Sequence, residues 1–307
     1  AQALALAPAL VDRLFETPLQ PSDLLERRLS LPRESAKRLV LCADDYALEQ
    51  GVSSAILSLA RQGRLTATSV MVLSPRWAED AAPLRELSTQ LDVGLHLDWT
   101  SLFAQAAGHG SSLPAVMMRS ALGVFEAKGG YGWVCEVVQR QLDAFEAQWK
   151  RAPDHIDGHQ HVHQFAGIRQ PLLDVLQQRY GASATRPWLR VSQVAQPGIK
   201  ARVISAMGAQ AMQRWATHWA WPHVSPLVGA YNFEAQDGVY ARHMHAWLRD
   251  LPAHAAMMCH PAQDLLGRLS QDAIYPARVQ EFAYLQSDAF VQALQAAHVR
   301  LVRGSPA

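Results

Sequence analysis

The chain has 307 residues, of which 49% are hydrophobic and 18% are charged, enough apolar sequence for one large α/β domain or two modest ones. Its 28 basic and 27 acidic side chains leave a formal net charge of +1, so no field of one sign is available to attract nucleic acid or an anionic membrane. It contains no run of 18 apolar residues, which excludes a transmembrane helix.

Residues 1–37 differ from the rest of the chain. They open with an Ala- and Leu-rich stretch that is interrupted by Pro8 and Asp12 and lacks the basic start of a signal peptide. We expect an N-terminal extension with one or two short helices here, and a main domain over residues 38–307.

Strand-like and helix-like segments alternate through this main domain. Short apolar or β-branched runs predict strands at 38–43, 66–73, 92–97, 155–157, 189–191, 255–259 and 301–303. Amphipathic or helix-favouring stretches predict helices at 49–61, 138–149, 168–180, 271–285 and 288–297, and further helical structure within 196–221. Residues 101–132 show no clear period and are expected to be irregular.

Polar side chains follow several of the predicted strands. Asp44 and Asp45 follow the first strand, His96 lies in the third, His159 follows the fourth and His260 follows a late one. Alternating strands and helices imply a parallel sheet, either a barrel or a doubly wound sheet, with its chemistry at the carboxyl ends of the strands. We therefore expect these side chains to converge.

The segment from Asp157 to His163 is the most unusual part of the sequence. Asp157, His159, His161 and His163 occupy every second position, so in an extended backbone all four would face one side. Imidazole is a common ligand of zinc-like metals. The spacing does not select among the three histidines, and Asp157 could orient a histidine instead of binding metal.

A catalytic zinc-like site needs about three protein ligands and one open position. Asp45, His96 and His159 would supply one carboxylate and two imidazoles, with Asp44 as a general base and His260 as a general acid. Each residue also has a purely structural interpretation. Paired aspartates often form turns or helix caps, a histidine in an apolar strand is usually a hydrogen-bonded core residue, and a histidine before proline can simply end a strand.

Five motifs occur in an order that resembles the YdjC/ChbG-type carbohydrate deacetylases over residues 38–304. They are Ala-Asp-Asp-Tyr at 43–46, Gly-Arg-Leu-Thr-Ala-Thr-Ser at 63–69, Gly-Leu-His-Leu at 94–97, His-Ile-Asp-Gly-His-Gln-His-Val-His at 155–163 and Met-Cys-His-Pro at 258–261. The resemblance implies an α/β fold, a distorted, TIM-like (β/α) barrel with parallel strands, seven strands being one option. It also implies one divalent metal ion, zinc or magnesium, and removal of acetyl groups from N-acetylated amino sugars such as chitooligosaccharides. A related branch is associated with hopanoid lipid biosynthesis.

Transferred to this chain, the resemblance makes Asp45, His96 and His159 the metal ligands. It makes Asp44 the catalytic base, by analogy also with NodB-type polysaccharide deacetylases, and His260 the acid. Arg278 and Glu281 match a late Arg-x-x-Glu pattern that we interpret as structural or as supporting the site. Two positions depart from the family, which usually has glycine where this chain has Ala47 and Ala262, so the loops beside the metal are expected to differ.

The expected function is therefore a metal-dependent hydrolase that deacetylates an N-acetylated amino sugar or a glycoconjugate, either chito-oligosaccharide-like or a glycolipid. The alternatives are a metal phosphoesterase, disfavoured because few Lys or Arg lie near the motifs, and a non-catalytic metal- or glycan-binding relative. A glycosidase is weaker, because adjacent aspartates cannot flank a bond. Candidate surfaces for stacking of sugar rings are Trp99, Trp133, Tyr231 and Trp247.

Three cysteines, Cys42, Cys135 and Cys259, provide no disulfide framework and no C-x-x-C pair. This usage is typical of a reducing compartment, so we expect a cytoplasmic protein in which the three thiols are buried as small apolar groups. The sequence leaves the oligomeric state open, a homodimer being one option.

Overall fold

A computed structural model describes residues 36–265 and 272–305. The helices predicted within residues 1–37 lie outside the described residues. Within the described residues, no helix is both long enough and apolar enough to cross a membrane.

Parallel strands build a single sheet, which has nine members in the described part of the chain. They are β1 (Lys37–Tyr46), β2 (Ala67–Val70), β3 (Asp92–Leu97), β4 (His155–Gly158), β5 (Trp188–Arg190), β6 (His223–Val224), β7 (Leu227–Val228), β8 (His254–Cys259) and β9 (Val299–Leu301). Neighbouring strands follow the order β6-β5-β4-β3-β2-β1-β8-β7, and β9 pairs with the first residues of β1. Each of the seven predicted strands overlaps one of these.

The sheet is nearly closed into a barrel. Its two outer strands, β6 and β7, are consecutive in the chain and are separated only by Ser225 and Pro226. Just after β5, the chain also hydrogen-bonds to β7, since Leu227 N donates to Gln193 O at 2.8 Å and Ala195 N donates to Leu227 O at 2.9 Å. The α/β, TIM-like barrel with parallel strands is therefore confirmed, and counting β6 and β7 as one interrupted strand gives seven strand positions along its path.

Helices surround this sheet. They are α1 (Gln50–Arg61), α2 (Trp77–Arg85), α3 (Leu102–Ala106), α4 (Leu113–Ala121), α5 (Gly130–Trp149), α6 (Arg169–Tyr180), α7 (Ile199–Ala206), α8 (Ala209–His218), α9 (Val239–Arg249), α10 (Tyr275–Gln286) and α11 (Asp288–Ala296). In α1 the predicted apolar stripe of Val52, Ile56 and Leu59 is fully buried, and Gly63 follows with φ of 66°, as expected for a residue that ends a helix.

The prediction of an irregular segment at 101–132 is wrong, because it contains α3, α4 and the start of α5. Helix α3 has five residues and is held by its cap, in which the Ser101 side chain accepts hydrogen bonds from the backbone N–H groups of Phe103 and Ala104. Helices of one or two turns contain too few apolar positions to show a period, which is why the sequence did not reveal them.

The cysteines follow the prediction in part. Cys42 and Cys259 are buried, whereas Cys135 is only partly buried on α5. All three are free thiols.

Gly94 in β3 is a position where the packing requires glycine. A Cβ atom there would lie 2.4 Å from three atoms of the His155 ring, which is stacked on Trp188 with ring centroids 4.4 Å apart. No side chain fits unless this buried ring moves. Gly94 is thus part of the packing that supports His96, two residues further along the same strand.

We expect Gly94→Ala to destabilise the protein by about 1–3 kcal/mol, because the added methyl group overpacks the core against His155. The measurement is the free energy of unfolding from urea denaturation. Gly132→Ala in the first turn of α5 is the matched control, since a Cβ there meets nothing within 4 Å and its stability should not fall. Equal stabilities of the two variants would contradict this account of β3.

Candidate metal centre

The carboxyl end of β1 turns irregular where the two aspartates lie. Asp45 has a left-handed backbone with φ of 70°, and the pairing with β2 shifts register between Ala43 and Tyr46. In a regular strand neighbouring side chains point to opposite faces. Because of this irregularity, Asp44 and Asp45 both line the same cavity, although they are adjacent in sequence.

Three of the predicted ligands meet at this end of the barrel. Oδ1 of Asp45 lies 3.3 Å from Nε2 of His96 and 3.0 Å from Nδ1 of His159. One potential ligand atom from each residue lies within 4.8 Å of the others. Asp45 ends β1, His96 belongs to β3 and His159 follows β4, so three separate strands bring one carboxylate and two imidazoles together, as the sequence predicts.

Asp157 orients His96 from behind. Its Oδ1 accepts a hydrogen bond from Nδ1 of His96 at 2.6 Å, and its Oδ2 accepts one from Ser69 at 2.5 Å. Burial lowers the pKa of His96, but the charge and hydrogen bond of Asp157 outweigh it and raise the pKa to about 10. This carboxylate–histidine pairing leaves Nε2 of His96 facing Asp45, which is the arrangement typical of a histidine that binds metal.

The expectation that the histidine run faces one side is wrong. Residues His159–Gln164 form a distorted 3₁₀ turn that starts directly after β4, with φ of 53° at Gln160 and 63° at His161. Nδ1 of His161 lies 3.1 Å from Oγ of Ser192, and Nε2 of His163 donates to the carbonyl oxygen of Arg190 at 2.9 Å. The turn cancels the two-residue alternation, so only His159 reaches Asp45.

Arg190 links two carboxylates of the site. Its guanidinium is fully buried and donates to both oxygens of Asp44, at 2.6 and 2.7 Å. Nη2 also lies 3.1 Å from Oδ2 of Asp157. The sequence shows Arg190 only as the middle residue of a short predicted strand, and a charged residue there gives no local signal that its partners lie on β1 and β4.

Arg278 holds the other aspartate. It donates to Oδ2 of Asp45 at 2.6 Å and to Asp272 at 2.6 Å. Burial raises the pKa of Asp45, but the charges of Arg278 and His159 outweigh it and keep the pKa well below its usual value. Asp45 is therefore ionised, with Oδ1 turned toward the two histidines. The expectation that few basic residues lie near the motifs is wrong, because Arg190 and Arg278 reach the site from distant parts of the chain.

Two further groups of potential ligands lie deeper among the described residues, namely Cys42 with His155 and Asp157, and Asp44 with His96 and Asp157. Both depend on Asp157, whose oxygens already contact His96, Ser69 and Arg190. Burial also raises the pKa of Cys42, which disfavours the thiolate that binds metal. The group of Asp45, His96 and His159 is the better candidate.

His260 lies across the site from the ligands. Its Nε2 is 3.8 Å from Oδ2 of Asp44, and its backbone N–H donates to Glu281 at 2.6 Å. Glu281 also accepts a hydrogen bond from the Tyr231 hydroxyl at 2.6 Å. Burial lowers the pKa of His260 to about 4, against the opposing charges of Asp44 and Asp45. The predicted late Arg-x-x-Glu pair thus supports the site, since Arg278 holds Asp45 and Glu281 fixes the backbone of His260.

These groups line a cavity of about 780 Å³, a size suited to a small ligand. Much of its wall is apolar; these wall residues are Leu48, Leu102, Phe103, Leu113, Met117, Val203, Ile204, Met207, Phe233, Met258 and Ile274. The four predicted stacking residues do not line it. Trp99, Tyr231 and Trp247 are buried in the core and Trp133 packs against the core, whereas the aromatic rings that line the cavity are those of Phe103 and Phe233.

The two departures from the family pattern differ in their consequences. Ala47 has a left-handed backbone with φ of 72°, a conformation that glycine adopts without strain. Ala262 is fully buried and is not among the described residues with a positive φ. The conformational freedom of glycine would therefore relieve strain at Ala47, whereas the backbone at Ala262 does not call for glycine.

The fold and these side chains define a class, namely a parallel α/β barrel with a carboxylate–imidazole centre at the carboxyl ends of its strands. The family model for YdjC-like proteins matches residues 38–296, and the chain belongs to this family.

The chain is also similar to curated proteins named for deacetylation. It is 30% identical to a chitooligosaccharide deacetylase of Serratia marcescens over 157 residues, covering 47% of this chain and 57% of that protein. It is 32% identical to a carbohydrate deacetylase of Homo sapiens over 170 residues, covering 52% of this chain and 50% of that protein. It is 28% identical to a carbohydrate deacetylase of Enterococcus faecalis over 153 residues, covering 46% of this chain and 54% of that protein. The chain thus spans about half the length of the curated relatives that it matches.

One solved structure supports the fold. A crystal structure from Enterococcus faecalis, described as a cellobiose-phosphate cleavage protein, matches with a TM-score of 0.64 at 20% identity. The match covers 88% of this chain and 98% of that chain. At this identity the likeness shows the barrel and nothing about its substrate.

The buried carboxyl group of Glu281 should make the stability of the protein depend on pH. Burial raises its pKa to about 7 from the ordinary 4.5, against the hydrogen bonds from Tyr231 and His260 that lower it. Between pH 4.5 and 7 the folded state keeps a proton on Glu281 that the unfolded state releases, and this difference stabilises the folded state. The stabilisation is fully present below pH 4.5 and is lost as the pH rises through 7. Relative to Glu281→Gln, the wild type should lose about 3 kcal/mol across this window.

The measurement is the free energy of unfolding of both proteins from pH 4.5 to 8, with a chelator present. Glu136→Gln, at an exposed position on α5, is the control and should keep the wild-type pH dependence. Parallel curves for the wild type and Glu281→Gln would show that Glu281 does not titrate in this range.

Proposed function

We propose that the protein is a metal-dependent hydrolase that removes the acetyl group from an N-acetylated amino sugar or glycoconjugate. The observation that supports this most directly is the grouping of Asp45, His96 and His159 beside the paired Asp44 and His260 in a single cavity. Membership of the YdjC-like family and the names of the curated relatives support the same reaction.

The donor set fits one divalent cation. Two imidazole nitrogens and one carboxylate oxygen are typical ligands of zinc, and a carboxylate also suits magnesium. Asp157 supports His96, and Arg278 leaves one oxygen of Asp45 turned toward the histidines. When bound, such a cation polarises an amide carbonyl and makes a water molecule more acidic.

Asp44 is the proposed general base. It is 2% exposed, and both of its oxygens are hydrogen-bonded to Arg190. This clamp fixes the carboxylate at the edge of the cavity, beside the ligand Asp45. A fixed carboxylate can accept a proton from the attacking water without having to be positioned first, which is the advantage of a preorganised site.

His260 is the proposed general acid. With its pKa lowered to about 4, the imidazole is uncharged at neutral pH and must gain a proton before it can donate one. Asp44, whose Oδ2 lies 3.8 Å from Nε2 of His260, would pass on through one bridging water molecule the proton that it accepts. His260 would then protonate the departing amine, so that the products are acetate and a free amino sugar.

The apolar walls favour a substrate with an apolar portion next to its acetylated sugar. Phe103 and Phe233 offer ring faces, and Leu102 and Val203 are exposed to 69% and 45% at the cavity. A phosphoesterase is less compatible, because the two buried arginines near the ligands are already paired with Asp44 and Asp45. Lys200, the other cation that lines the cavity among the described residues, donates a hydrogen bond to the carbonyl oxygen of Tyr231. The free thiols fit the expected cytoplasmic setting.

The double variant Asp45→Asn with His159→Ala should lose both the metal and the activity, because one carboxylate and one imidazole of the donor set are removed. Elemental analysis should fall from one metal ion per chain to none, and acetate release from di-N-acetylchitobiose and other N-acetylated glycans should fall to background. His245→Ala, at an exposed position on α9, is the control and should retain both.

Three outcomes would reject the proposal. Undiminished acetate release by the double variant would show that the reaction does not need the metal. Release of phosphate instead of acetate by the wild type would favour the phosphoesterase. Binding of metal and sugar without release of acetate would favour the non-catalytic relative.

Arg190→Lys tests the clamp on Asp44. Lysine keeps the charge but cannot donate two parallel hydrogen bonds to one carboxylate. We expect kcat to fall about 10–100-fold while KM and the metal content stay close to the wild-type values, because the base loses its orientation and the cavity keeps its shape. Arg179→Lys, which changes an arginine paired with Asp143 and Glu146 on the protein surface, is the matched control. A lower unfolding temperature with unchanged kcat would mean that Arg190 has only a structural role.

A further inference from the structure

A second cavity of about 860 Å³ adjoins the candidate active site. Its walls come from the end of α4, the chain between β4 and α6, the stretch after β5, and helices α7 and α8. Met117 and Met207 line both cavities. Nothing in the proposed deacetylation requires this second space.

Three arginines line this second cavity, namely Arg169, Arg202 and Arg214. The arginine ion pairs found among the described residues are made by other arginines, and none involves these three. Glu126 is the acidic residue that acts on Arg169, and it is exposed and beyond ion-pair distance. The wall therefore has an excess of positive charge that no ion pair within residues 36–265 and 272–305 neutralises.

Arg169 lies where a cation is electrostatically unfavourable. Its Nη1 donates to the carbonyl oxygen of Gln164 at 2.8 Å, and a Cβ atom on Gly208 would lie only 2.2 Å from that nitrogen. Gly208 directly precedes α8, so the guanidinium sits at the positive end of the helix dipole. Partial burial lowers the pKa of Arg169; the charge of Glu126 opposes this shift and the charge of Arg214 adds to it.

Further polar groups complete the wall. The side-chain amides of Gln193 and Gln196 line the cavity, and each has a buried oxygen position without a hydrogen-bond partner among the described residues. An amide can also present its NH₂ group, so both residues can donate to a ligand. Ser205 adds a hydroxyl group whose oxygen accepts a hydrogen bond from Val194 N at 2.9 Å, so that its proton can be donated to a ligand.

We propose that this cavity binds a phosphate-type oxyanion. Guanidinium groups pair with phosphate through several short, charge-assisted hydrogen bonds, and the start of a helix adds backbone N–H groups and a favourable dipole. A bound dianion would neutralise the unpaired arginines and would remove the conflict between Arg169 and α8. The volume accommodates a phosphate together with the group that carries it.

The position of the cavity gives the oxyanion two sources. A phosphate carried by the substrate would lie here while the acetylated sugar occupies the first cavity, across Met117 and Met207. Alternatively, free phosphate or a separate phosphorylated metabolite would bind next to the active site. The first source rests on the proposed deacetylation, whereas the oxyanion site itself does not.

The site is tested on the full chain after removal of metal with a chelator, by isothermal titration with inorganic phosphate and pyrophosphate. The wild type should bind one oxyanion per chain, and the double variant R202Q/R214Q should bind it at least about tenfold more weakly. Both arginines are exposed, so their replacement should leave the fold intact, as circular dichroism would verify. R242Q is the matched control, because Arg242 is an exposed arginine that lines neither cavity.

No binding below about 10 mM, or equal affinities for the wild type and R202Q/R214Q, would overturn the oxyanion site. Since this titration involves neither metal nor turnover, it is independent of the proposed deacetylase activity.

A kinetic comparison identifies the source. If the phosphate belongs to the substrate, a phosphorylated N-acetylated sugar should have a KM at least about tenfold lower than the same sugar without phosphate, and R202Q/R214Q should abolish the difference. If both sugars have the same KM while phosphate still binds, the occupant is a separate oxyanion and the site stands.

Discussion

Two buried ion pairs at the carboxyl end of β1 determine the geometry of the site. Asp44 and Asp45 are only 2% and 1% exposed, and an unpaired buried carboxylate would be strongly destabilising. Arg190 from β5 neutralises the first and Arg278 from α10 neutralises the second. Because each arginine also fixes the direction of its carboxylate, charge balance and the arrangement of the candidate metal centre have the same physical origin.

The two arginines give the adjacent aspartates different surroundings. Arg278 occupies Oδ2 of Asp45 and leaves Oδ1 to His96 and His159, so one oxygen of Asp45 faces the two histidines. Arg190 occupies both oxygens of Asp44 and also contacts Asp157, the carboxylate behind His96. Neighbouring side chains of the same type therefore differ in orientation and in hydrogen-bond partners because of what approaches them from elsewhere in the barrel. The arginines of the second cavity are the opposite case, because no carboxylate in the described part of the chain forms an ion pair with them.

Much of the site could be predicted from local patterns. Apolar runs that end in polar residues place Asp45, His96 and His159 at the ends of parallel strands, and the barrel brings those ends together. The histidine run misled for a local reason, since a tight turn after Gly158 replaces the extended backbone that its spacing suggested. The aromatic residues misled for a different reason, because composition does not distinguish a ring in a cavity from a ring in the core, where Trp99 is fully buried.

The sequence by itself determined the alternation of strands and helices, the parallel sheet and the kinds of polar side chain at three strand ends, because these follow from short-range patterns. The choice of a barrel over a doubly wound sheet came from the resemblance to the family. Only the tertiary structure decided which aspartate pairs with which arginine, which histidine of the run reaches Asp45, and what lines the cavities. The partners of Asp44 and Asp45 lie 146 and 233 residues away along the chain. A buried charge selects its partner by proximity in the folded barrel, and no spacing within a local window contains that information.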